Sequence, residues 1–117
     1  MSHPPRDDAY LSDILEAVQR ILGYTQKISY SEFMEDTKTQ DAVLRNLQVL
    51  GEATKKLSIS LRRREPLVPW KEMTGLRDKI VHEYFGINYD IVWAIVTQDI
   101  PALQPHIEAI LERYAGQ

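Results

Sequence analysis

The sequence predicts an all-α protein, a helical bundle of about five helices in one domain. Three observations predict it. Apolar residues recur at steps of three and four along most of the chain. No stretch alternates with period two for long enough to make a strand. The 117 residues are 44% hydrophobic, which suits one domain able to bury a core and not two.

Each element carries its own signal. From Asp8 onward, Leu11, Ile14, Leu15, Val18, Ile21 and Leu22 form one apolar stripe, with Asp7 or Asp8 as N-cap and Gly23 near the stop. Ser29 and Glu32 have capping-box spacing, which predicts a short helix through Phe33 and Met34. Thr39 is the expected cap of the next helix. Its stripe is Val43, Leu47, Leu50, Thr54 and Leu57, with Gly51 inside it as a point of close helix packing. Residues 58–69 break the pattern. Two serines, Arg62, Arg63 and Arg64, then Pro66 and Pro69, read as a turn or short helix leading into a loop. Pro69 suits the first turn of a helix running from Trp70 to about Phe85, stopped by Gly86. Asn88 can cap the next helix, whose stripe is Ile91, Val92, Ile95 and Val96. Pro101 and Pro105 are expected to interrupt or restart the helix before Ile107, Ile110 and Leu111. Residues 1–6 read as a mobile tail.

Composition excludes several function classes. There is no cysteine, hence no disulfide framework, thiolate nucleophile or thiolate metal site. Acidic residues outnumber basic ones 17 to 14, which argues against coating nucleic acid by bulk positive charge but allows a local basic site. No apolar run approaches the ~20 residues that span a bilayer, and the polar N-terminus has no apolar leader core. A cytoplasmic protein with no membrane partner is the expectation. Phosphate-cradling glycine loops and HExxH are absent, and His3, His82 and His106 are far apart in sequence. No metal is expected. Glu32 and Asp36 read as solvated surface, not as metal ligands.

One segment stands apart, Gly75-Leu-Arg-Asp-Lys-Ile-Val-His-Glu-Tyr-Phe-Gly86. If it is helical, Asp78 and His82 share a face, so the carboxylate can orient the imidazole. Arg77 and Tyr84 also share a face. Arg77 and His82 diverge by about 140°, which a long arginine or a second copy of the helix would overcome. A histidine titrating near neutrality can move a proton to or from a ribose oxygen, and an arginine can hold a phosphate and the charge that develops on it. RNA carries its own nucleophile in the 2′-OH, and DNA lacks it. These residues could therefore cleave RNA without a metal. The competing reading is an Arg–Asp surface pair and a helix-end histidine capping carbonyls. The Arg-to-His spacing alone is common by chance, and the added Tyr makes it much rarer.

With these residues in place, the chain resembles the HepT-like branch of the HEPN superfamily, the nuclease half of HEPN/MNT toxin–antitoxin pairs. The stretch TQDAVLRNLQVLGEATKKLS, residues 39–58, is similar to the family's second long helix, and residues 68–103 to its motif helix and the segment after it. The family motif is Arg, a polar residue, three more, His, any residue and Tyr. Arg77, Asp78, His82 and Tyr84 match it in order, with Asp78 where this branch often has Asn. The resemblance implies a single HEPN domain over residues 1–117. It implies a homodimer with two motif helices facing each other across a shared cleft, and a metal-independent endoribonuclease toxic to its own cell. Arg77 and His82 are then catalytic and Asp78 supporting. It also implies a minimal nucleotidyltransferase (MNT) antitoxin that transfers AMP from ATP to the motif tyrosine, here Tyr84. The chain itself needs no cofactor. Attached AMP would set bulk and negative charge beside Arg77.

Arg62, Arg63 and Arg64, with Lys55 and Lys56 nearby, could form a positive rim for RNA, though a solvated charge run is the commoner meaning of such residues. Trp70 and Trp93 are expected as core or interface anchors, and Tyr89 and Tyr114 as packing residues. A second function class stays open: a non-catalytic helical module that binds a nucleotide or the transferase and cleaves nothing.

Overall fold

Three long apolar stripes become the frame of an all-α bundle in the computed structural model, which describes residues 6–82, 84 and 86–115. The expected tail, apart from Arg6, lies outside the described residues. Helix α1 (Asp7–Thr25) packs along α3 (Thr37–Lys56), and α8 (Ile100–Ala115) closes the other side of α1. Leu11, Ile14, Val18 and Ile21 of α1 meet Val43, Leu47 and Leu50 of α3 and Ile107 and Ile110 of α8 in one core. All nine are at most 2% exposed, and burial of each such side chain contributes about 1.5–3 kcal/mol. No helix among the described residues is long and apolar enough to cross a membrane.

The short elements are held by caps. Helix α2 (Tyr30–Glu35) starts with the predicted capping box: Ser29 Oγ accepts from Glu32 N–H, and Ser29 N–H donates to the Glu32 carboxylate. Two expected caps are corrected. Asp36, not Thr39, caps α3, accepting from the Thr39 N–H and hydroxyl, which together hold its carboxyl below the usual range. Helix α1 begins at Asp7 with Arg6 as N-cap, and Asp7 has other work. Its buried carboxylate accepts from Ser58 N–H at 2.9 Å and Ser58 Oγ at 2.7 Å. Ser58 Oγ in turn caps α4 (Ile59–Arg64) by accepting from Leu61 N–H. Tyr114, near the end of α8, leans on the same carboxylate. One acid thus ties the starts of α1 and α4 to the end of α8.

The largest departure lies between Trp70 and Phe85. The predicted single helix is instead α5 (Trp70–Thr74) and α6 (Leu76–Ile80), and then a small antiparallel hairpin of β1 (Val81–His82) and β2 (Gly86–Ile87). Gly75 marks the joint between the two helices. Val81 turns extended, at φ −100° and ψ 124°, and Asn88 N–H donates to the Ile80 carbonyl at 2.8 Å. β-Branched Ile80 and Val81 favour that change, and Gly86, at φ +70°, lets the chain turn back. Gly86 therefore shapes a hairpin and does not stop a helix.

The prolines also act differently from expectation. From α7 (Tyr89–Ala94), capped by Asn88 as predicted, the chain stays helical through a π-turn at Ile95–Asp99 into α8. Proline cannot donate to the carbonyl four residues back and its ring crowds it. The wider turn, in which Ile100 N–H reaches the Ile95 carbonyl, accommodates Pro101 without a break. Pro105 lies inside α8 on an exposed face. Gly51 does serve close packing: a Cβ there would sit 3.3 Å from the Met73 carbonyl oxygen.

Asp7→Ala should cost about 1–2 kcal/mol, because it strands a half-buried N–H and hydroxyl of Ser58. Urea unfolding should show this as a lower midpoint at unchanged slope, and an unchanged midpoint would refute the tie.

Candidate active site

Helix α6 is short, and its placement comes from two anchors. Leu76 and Ile80, four residues apart, are buried, so Arg77, Asp78 and Lys79 between them face outward. Arg77 lines a cavity of about 460 Å³ between α3 and the α5–α6 segment. Its floor is apolar, with Leu47, Ile80 and Ile87, and its rim holds Gln48, Glu52 and Lys55 of α3. His82 comes next in β1, paired with Gly86, and Tyr84 at the hairpin tip is 92% exposed.

This placement corrects the reasoning from a helical wheel. Since α6 ends at Ile80, the shared face expected for Asp78 and His82 does not exist, nor that for Arg77 and Tyr84. The angle of about 140° between Arg77 and His82 does not apply for the same reason. The hairpin, not helix rotation, sets where His82 and Tyr84 stand relative to Arg77. Asp78 is exposed, and among the described residues neither it nor Arg77 has a side-chain hydrogen bond or salt bridge.

Arg62, Arg63 and Arg64 lie on α4, away from this cavity. Arg64 donates to the Tyr114 hydroxyl at 3.1 Å, and with His106 and Arg113 it lines a separate cavity of about 350 Å³ that shares no residue with that of Arg77. Burial and the Asp7 charge raise the Tyr114 pKa, so its hydroxyl stays protonated. Of the basic residues grouped with these arginines, Lys55 alone lines the Arg77 cavity. Sequence reasoning missed Gln48 and Glu52 as its companions. Their signal was present, since positions 48, 52 and 55 share the helix face that carries Gly51.

The remaining aromatic and acidic residues are structural. Trp70 is buried and donates from Nε1 to the Glu65 carbonyl at 2.9 Å. Trp93 packs on Phe33 with ring centroids 5.1 Å apart, and Tyr89 meets Phe33 edge-on. Glu32 and Asp36 are capping residues. Among the described residues, no three His, Asp or Glu side chains gather as a metal centre requires. His3 lies outside those residues. A further cavity of about 440 Å³, bordered by Leu103 and His106, contains none of the predicted site residues.

An exposed arginine on a short helix, a histidine in the adjoining hairpin and an accessible tyrosine stand together in one segment, and comparison with known proteins gives the class. Residues 14–110 match the family described as "Ribonuclease HepT-like". A Methanocaldococcus jannaschii protein provisionally named an RNase is 45% identical over 97% of this chain and 95% of its own length. A second from that organism, named likewise, is 40% identical over 87% of this chain and 94% of its own. A Thermococcus cleftensis protein named a probable ribonuclease HepT is 42% identical over 86% and 92%. No solved structure matches the chain significantly. The class is an all-α ribonuclease. The chain belongs to the HepT-like ribonuclease family.

Gly86→Ala should destabilise the fold by about 1–2 kcal/mol, the cost of a left-handed backbone with a Cβ. RNA cleavage should fall further than stability does, because the hairpin carries His82. Thermal melting beside a cleavage assay checks this, and full activity in the folded variant would contradict it.

Proposed function

We propose that the chain is the toxin of a toxin–antitoxin pair, a metal-independent endoribonuclease whose catalytic residues are Arg77 and His82. The observation that carries the reading is the placement of the motif in a ribonuclease-family chain, with Arg77 exposed at a cavity and His82 in a hairpin pinned to the end of the same helix. The substrate's 2′-OH attacks the adjacent phosphorus, the bond to the 5′-oxygen breaks, and a 2′,3′-cyclic phosphate remains. His82 moves a proton at the attacking or leaving oxygen, and Arg77 neutralises the charge gathering on the phosphoryl oxygens. Asp78, next in sequence to Arg77, is the supporting carboxylate. The chain works as a homodimer in the cytoplasm and uses no cofactor of its own.

Tyr84 is the regulatory residue of this reading. Its near-complete exposure suits attack by its hydroxyl on the α-phosphorus of ATP, with pyrophosphate leaving, inside an MNT-type nucleotidyltransferase. AMP on Tyr84 would add bulk and negative charge to the hairpin that carries His82, and so would oppose the approach of RNA. The exposed apolar Val81, on the same hairpin, supports a partner surface there.

Arg77→Ala and His82→Ala should each lower the cleavage rate by about 10²-fold or more with the fold intact. Cleavage should persist in EDTA. Loss on chelation with recovery by a divalent ion would refute the mechanism, and a fully active His82→Ala protein would move the site elsewhere. Light scattering should give about twice the 13.6 kDa chain mass, and an RNA-cleaving monomer would remove the dimer from the account. Incubation with the partner transferase and ATP should add AMP to the peptide containing Tyr84. Tyr84→Phe should cleave RNA and escape silencing. If it still gains AMP and is silenced, another residue is modified.

A further inference from the structure

We infer that the cavity beside Arg77 is a nucleobase subsite that takes guanine from the nucleotide next to the cleaved bond. The inference rests on Arg77 being the phosphate-binding residue, and it adds which part of the RNA the neighbouring space reads.

The cavity, about 460 Å³, falls within the roughly 300–1,000 Å³ range of small-molecule sites. Its composition is that of a base pocket. Leu44 and Leu47 of α3 and Ile80 and Ile87 across from them offer apolar walls to the flat faces of a base. Lys55 and Arg77 are cations on the same rim and suit the phosphates on either side of the bound nucleoside. A purely apolar peptide would leave both unused.

Glu52 decides which base. Among the described residues it is the one carboxylate lining this cavity, and Gln48 Nε2 donates to its Oε1 at 3.3 Å, which orients the group. A carboxylate only accepts hydrogen bonds, so it seeks two adjacent donors. Guanine presents them, N1–H beside the N2 amino group. Adenine and cytosine set a ring-nitrogen lone pair beside their amino group, and uracil sets two carbonyls around one N–H. Each of these would face the carboxylate with a repulsive acceptor. Lys55, three residues on, lies on the same side of α3 and offsets the repulsion between Glu52 and the RNA backbone.

Titration of the full-length protein with guanosine, followed through the backbone amides, tests this. Guanosine should shift Gly51, Ile80 and Ile87, adenosine at the same concentration should not, and guanosine 3′-monophosphate should bind more tightly than guanosine. Arg77→Ala should lose that phosphate gain and keep the guanosine shifts. Glu52→Gln should lower preference for guanosine-adjacent cleavage sites by about tenfold, the loss expected for one paired base contact. The inference fails if guanosine leaves these amides unmoved or moves them no more than adenosine does, a result readable on the unmutated protein alone. If guanosine binds as described while Arg77→Ala still cleaves RNA at full rate, the subsite stands and the catalytic assignment of Arg77 fails.

Discussion

The arrangement of the candidate site depends on where α6 stops. At Ile80 the helix gives up its next hydrogen bond, and the Ile80 carbonyl takes the Asn88 N–H at 2.8 Å instead. That one bond brings the start of α7 back to the end of α6. The five-residue helix holds Arg77 outward because Leu76 and Ile80 are buried on either side of it. The hairpin then carries His82 and Tyr84 from the same point.

The long elements were legible in the sequence because one face of each is buried in a single core. Leu11 to Leu22 on α1 and Val43 to Leu57 on α3 keep the helical period through which they pack. The break at Ile80 was less legible because the stretch before Gly86 lacks a proline or a run of turn residues. The Asn88 bond holds it, a contact over eight residues that no periodicity reveals. Pro101 misled in the opposite direction: a breaker by local rules, it is tolerated where the π-turn at Ile95–Asp99 widens the helix. Asp7 has the type and position of a local cap, yet it serves a partner 51 residues away.

The candidate residues were legible in identity and not in arrangement. Arg77, His82 and Tyr84 stood out through spacing, whereas the faces assigned to them assumed a helix that ends too early. The arginines of α4 are near Lys55 in sequence, yet Arg64 turns to Tyr114 and Lys55 to the Arg77 cavity. Helix α3 does two jobs at once. One face carries Val43, Leu47 and Leu50 into the core, and the neighbouring face, opened by Gly51 against the Met73 carbonyl, supplies the rim of the cavity.

The central claim is that the RNA supplies its own nucleophile to a site built from Arg77 and His82. A single 2′-deoxy substitution at the cleaved nucleotide of an otherwise unmodified RNA tests it most directly. Cleavage at that bond should fall to background while cleavage at neighbouring ribonucleotide sites continues. Cleavage of the deoxy-substituted bond at the unmodified rate would contradict the account, since another nucleophile would then be at work.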